Sequence, residues 1–190
     1  MKQNRNNILV FIFLIVIGAL YRVWDNRPLG FAPQIAMALF AGSVIKDKKM
    51  AILFPLLSML LSDMIYHVLY LQGLSGIVGF YRGMWANYLL FTAITFIGFR
   101  INSQKAGHII FGSLAGVLFF FFASNFLDWI GGGLDINNHP YPKTFSGLMT
   151  CFGAGIPFLK GSLLATFFFN AILFGGYYLA GRFALKPAKQ

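Results

Sequence analysis

Six runs of mostly apolar residues, separated by short clusters of charge, proline or glycine, organise the chain. They occupy 8–23, 30–45, 50–71, 84–99, 107–130 and 158–184. Crossing the ~30 Å hydrocarbon layer of a bilayer takes about 20 such residues as helix, and the runs lack the apolar/polar alternation of barrel strands. The pattern predicts an all-α integral membrane protein, a bundle of six transmembrane helices in one domain over 1–190. The stretch from Phe145 to Phe158 is semi-apolar but short and glycine-rich, so it is expected as a re-entrant or interfacial segment before the last helix.

Composition supports the same environment. Of 190 residues, 58% are hydrophobic and 11% charged, with a mean hydropathy of +0.71, whereas a soluble domain carries about a quarter of its residues as charges. The net charge of +10 comes from a scarcity of acids, five Asp and no Glu against fifteen Lys and Arg. These basic residues fall in clusters between the runs, which is the positive-inside pattern and not a nucleic-acid stripe. Lys2, Arg5, Lys46, Lys48, Lys49, Arg100, Lys105, Arg182, Lys186 and Lys189 share one side; Arg22, Arg27, Arg82, Lys143 and Lys160 share the other. The imbalance predicts both termini in the cytoplasm and a place in the inner membrane. The first run also reads as a signal peptide, but no small-x-small cleavage site follows it. The one cysteine, Cys151, excludes a disulfide within the chain.

Polar side chains inside a span are costly, and their positions point to a site. Asp63 and His67 stand one turn apart on the third run, with Asp63 about 20 Å from its cytoplasmic start. Asn125, Asp128 and Trp129 share a face near the outer end of the fifth run. Trp85 and Asn87 open the fourth, and Tyr81, Arg82 and His139 lie in outer connections. Together they predict an outward-facing pocket for a small molecule. Each has a plainer reading: Asp63 with His67 as a helix-locking pair, Asp128 beside a belt tryptophan, His139 as a turn residue, Asn170 as interhelical glue and Cys151 as a small buried side chain. Small residues four apart, Ala32 and Ala36, Gly112 and Gly116, Ala171 and Gly175, are expected at helix crossings or docking faces.

Catalytic signatures are missing from the sequence. Lys160-Gly161-Ser162 lacks the glycine of a phosphate loop, Gly112-Ser113-Leu114-Ala115-Gly116 places its serine off the nucleophile elbow, and H-E-x-x-H requires a glutamate. No enzyme, cofactor or metal site is expected.

Several strings do carry a resemblance: Arg27-Pro28-Leu29-Gly30-Phe31-Ala32-Pro33, Pro55-Leu56-Leu57-Ser58-Met59 with Ser62-Asp63, Ser124-Asn125-Phe126 before Trp129, and Gly147 to Cys151 with Ile156-Pro157-Phe158. They resemble a bacterial family of small six-helix membrane proteins of unknown function, which is similar to the substrate-binding S components of energy-coupling-factor (ECF) transporters. The resemblance implies vitamin or micronutrient uptake, with the bilayer, a small-molecule ligand and a separate energising module (a coupling subunit plus ATPases) as partners. The docking signature of S components is an Ala-x-x-x-Ala on the first helix, whereas Ala32 and Ala36 lie on the second run. A membrane scaffold without a ligand and a metal-ion carrier are the competing readings.

Overall fold

A computed structural model describes residues 2–81 and 83–184, with side chains at 9–81 and 83–180. Its described residues form helices α1 (Lys2–Val23), α2 (Gln34–Val44), α3 (Lys48–Leu71), α4 (Met84–Gly98), α5 (Ala106–Gly131) and α6 (Phe145–Ala184). Three of them, α3, α5 and α6, are long and apolar enough to cross a membrane, which makes this a membrane protein. Their outward faces carry large apolar side chains such as Phe111 and Leu164, suited to lipid.

Local sequence sets the helix ends. Asp47 is extended and its carboxylate accepts from the amides of Lys49 (2.9 Å) and Met50 (3.2 Å), capping α3. The second expected span, 30–45, is cut to 11 residues, about 16 Å of helix and too short to cross the hydrocarbon layer. Pro33 explains the late start, since the residue before a proline is steered out of helical conformation and Gly30 is left-handed at φ 70°.

The expected re-entrant or interfacial segment is instead the first part of α6. Thr144 starts it, its hydroxyl accepting from the Gly147 amide at 3.1 Å, and the helix runs 40 residues through Pro157. That proline interrupts one backbone hydrogen bond without ending the helix. At about 60 Å, α6 is twice the thickness of the hydrocarbon layer.

The short helix α2 is the centre of the bundle. Residues Gln34 to Gly42 are all buried, and α2 packs against α3, α4, α5 and α6, while α1 packs on α3. Leu39 and Phe40 join Met59, Phe91, Ile94 and Val117 in the core. Because lipid is as apolar as leucine, close backbone approach and van der Waals fit hold such helices together. At the α2–α4 crossing, a Cβ on Gly98 would lie 2.7 Å from the Leu39 carbonyl oxygen, and one on Gly42 2.4 Å from that of Thr95.

The small-residue pairs behave differently from one another. Gly116 meets Leu39 on α2, as a crossing requires, whereas Gly112 meets Ile101 in the α4–α5 connection. Ala36 is fully buried, so it offers no docking face, and Ala32 precedes α2 in the α1–α2 connection. Ala171 is exposed and a Cβ on Gly175 would meet nothing, so that pair makes no crossing within the described residues. Asn170 does join helices, donating to the Ser113 hydroxyl at 2.7 Å.

Gly98→Val is therefore expected to destabilise the detergent-solubilised protein by about 1–3 kcal/mol through overpacking. Gly175→Val should leave the unfolding midpoint unchanged, and equal effects of the two would contradict the crossing.

Candidate binding cavity

Near the end of the bundle where α1 stops and α2 and α4 start, the helices line a half-open cavity of about 600 Å³. Its walls come from Arg22 on α1, Trp24, Asp25, Arg27 and Gly30 in the α1–α2 connection, Gln34 and Ile35 on α2, Met59 and Tyr66 on α3, Asn87 and Phe91 on α4, Phe120 on α5, and Phe158 and Ser162 on α6. The volume lies in the range of small-molecule sites, and the walls are mainly apolar with a few polar groups.

Two glycines let the connections close in. Gly161 takes the Leu29 carbonyl oxygen where a Cβ would clash at 1.8 Å, and the Ser162 hydroxyl donates to the Gly30 carbonyl at 3.2 Å, fastening the α1–α2 connection onto α6. Gly79 does the same on α3, where a Cβ would lie 2.0 Å from the Asp63 carbonyl oxygen.

Arg22 is the polar anchor of the wall. Its Nη1 donates to Asp63 Oδ1 and to Ser62 Oγ, each at 2.5 Å. The Asp63 side chain is 3% exposed and that of Arg22 20%, so the acid is buried and the cation faces the edge of the cavity. Tyr88 completes the arrangement by donating to Asp63 Oδ2 at 2.7 Å. The Arg22 carbonyl, one of the last in α1 with no partner in its own helix, accepts from the Tyr66 hydroxyl (2.7 Å) and from Arg27 Nε (2.8 Å). A buried carboxylate is tolerable under these terms: one cation from α1 and one hydroxyl donor from α4 meet it on α3.

The residues expected at the site divide. Asp63 does not line the cavity; it stands behind Arg22 and fixes it. Asn87 does line it, and its Nδ2 donates to the Tyr81 hydroxyl at 2.5 Å. His67 packs edge-on against Phe80 with its Nδ1 buried and unpaired. Trp85 is exposed beside Tyr88, and Arg82 lies outside the described residues.

Asn125 and Asp128 belong to a separate cluster between α5 and α6. There the buried Cys151 Sγ lies 3.4 Å from the Asn125 carbonyl oxygen and 3.9 Å from Asp128 Oδ2, and Asn125 Nδ2 donates to the Phe121 carbonyl at 2.8 Å. Trp129 Nε1 donates to the Pro142 carbonyl at 2.8 Å, tying the α5–α6 connection down. His139 sits at a tight turn, its amide donating to Asp135 Oδ1 at 2.9 Å. That bond and a second from the Asn137 amide hold the Asp135 carboxyl below its ordinary value, so the turn keeps this support at neutral pH and loses it as acid protonates the carboxylate. None of these residues lines the cavity. Among the described residues, no three of His, Cys, Asp and Glu gather as a metal site would require.

Arg22, Ser62, Tyr88, Gln34 and the Asp25-to-Arg27 turn join the site without being candidates on the apolar/polar pattern alone. A signal for Arg22 was present: an intramembrane acid needs a cation at its own depth, and Arg22 ends the first run at the level where Asp63 lies on the third.

Tyr88→Phe should lower stability by about 1.5–3 kcal/mol, because it removes a hydrogen bond to a buried charge. Tyr81→Phe, on an exposed side chain, should cost far less; thermal unfolding in detergent checks both.

The sequence matches the family model described as a family of unknown function, DUF6580, over residues 2–188. No curated protein and no solved structure matches it.

Proposed function

Because the chain belongs to the family of unknown function DUF6580, we propose, from its cavity, that it is a small-molecule uptake protein of the inner membrane that binds its solute beneath the α1–α2 connection. The carrying observation is the 600 Å³ space that all six helices and the connection after α1 build around Arg22, Gln34 and Asn87. A scaffold has no need of such a space; a protein that holds a solute does. In this reading both termini face the cytoplasm, following the lysine and arginine imbalance, and the cavity faces outward. Vitamins and micronutrients are the expected solute class, as the resemblance to ECF S components implies. An energising module would have to dock elsewhere than on the fully buried Ala36.

Asp63 acts at one remove in this scheme. It holds the Arg22 guanidinium at the cavity wall, so it is a positioning residue, and Arg22, Arg27 and Asn87 are the groups that meet the solute.

The test is a thermal-shift screen of the purified protein against vitamins and related micronutrients. A solute at 100 times its Kd adds about 2.7 kcal/mol to stability, visible as a clear rise in Tm. Ala32→Trp, which fills the cavity from its wall, should abolish the rise while the uncomplexed protein keeps its own Tm. Protection by no compound, or protection that survives Ala32→Trp, would return the chain to the scaffold reading.

A further inference from the structure

The opposite end of the bundle carries a second concavity that the uptake reading does not use. It measures about 410 Å³ and lies where α2 ends, α3 begins and α4 ends, a junction made possible by the contact of Gly42 with Gly98. Lys46, Lys48 and Arg100 line it together with Ile45, Phe96 and Phe99.

Three cations share this space and no acid lines it. The nearest carboxylate in sequence, Asp47, is engaged in capping α3 through the Lys49 and Met50 amides. Among the described residues the one ion pair is Arg22 with Asp63, at the far end of these helices, so none of the three has a carboxylate partner. Helix dipoles account for two of them, since Lys46 and Arg100 follow the negative C-terminal ends of α2 and α4. They do not account for Lys48, which is the first residue of α3, at the positive end, and is turned over the Phe99 ring at 5.6 Å from its centroid. Charge concentrated against both its neighbours and a helix dipole is stabilised by an anion placed among the three groups. The outer wall is apolar, with Phe96 55% exposed.

We propose that this concavity binds a phosphate group, and that its apolar outer wall favours the headgroup of an anionic phospholipid, with an acyl chain passing over Phe96. Lysine and arginine recognise phosphate through charge-assisted hydrogen bonds, and basic pockets between membrane helices suit anionic headgroups. The site is independent of the solute cavity.

Native mass spectrometry and thermal unfolding of the detergent-purified full chain test it, with phosphatidylglycerol, phosphatidylcholine or inorganic phosphate added at matched ionic strength. Phosphatidylglycerol should remain bound and raise Tm, with phosphatidylcholine giving little. The triple variant Lys46→Gln, Lys48→Gln, Arg100→Gln should bind phosphatidylglycerol about 100-fold more weakly, on the order of tenfold for each 1.4 kcal/mol lost. Lys48→Gln alone should lose about fivefold, which keeps the test valid if the triple variant folds poorly. The double variant Lys49→Gln, Lys105→Gln removes charge at the same end outside the concavity and should keep its affinity. Protection by inorganic phosphate equal to that by phosphatidylglycerol, lost in the triple variant, assigns the site to a soluble phosphate. Equal binding of phosphatidylcholine and phosphatidylglycerol, or equal losses in the control and triple variants, overturns the proposal.

Discussion

A carboxylate enclosed by apolar helices has to be neutralised or paired, and the way Asp63 meets that requirement sets the geometry of this chain. Its partner is Arg22, two elements away in sequence, so one ion pair fixes the end of α1 against the C-terminal half of α3. Tyr88 adds α4 to the same carboxylate. Pairs of this kind contribute little net stability relative to a well-packed apolar substitute, but losing one partner leaves a charge that the interior cannot solvate. Their effect is therefore on arrangement. With Arg22 fixed, its carbonyl collects Tyr66 and Arg27, and the connection after α1 turns back over the cavity.

The central helix makes this possible by being short. An 11-residue α2 that is buried along most of its length leaves room at its N-terminal end, and that room is the cavity. Where α2 meets α4 at the other end, glycine against glycine allows no such space between backbones, and the cations displaced to the rim form the basic concavity. Both hollows thus follow from one element, whose start is set by Pro33 and whose flanks are set by small residues.

Much of the helix order was legible, because apolar runs bounded by charge and glycine are a strong signal; α3, α4 and α5 begin and end within two residues of expectation. The errors came from proline. Pro33 shortened a run that hydropathy alone extends, and Pro157, read as a boundary, lies inside α6. Depth also misled: Asp63 and Asp128 both lie toward one end of their helices, yet one faces Arg22 and the other the α5–α6 cluster with Cys151. Spacing along a helix gives the shared face but not the neighbour that face meets. Arg22, counted for topology, was the residue whose position decided the matter.

A double-mutant cycle on Arg22 and Asp63, read as unfolding free energy of the detergent-solubilised protein, tests the account at its base. Asp63→Leu and Arg22→Met singly should each leave one charge unpaired, with the loss of Asp63 or Arg22 costing about 3–5 kcal/mol, and the double variant should recover much of that loss. Strictly additive single effects would contradict it, since two side chains whose losses simply sum do not hold α1 to α3.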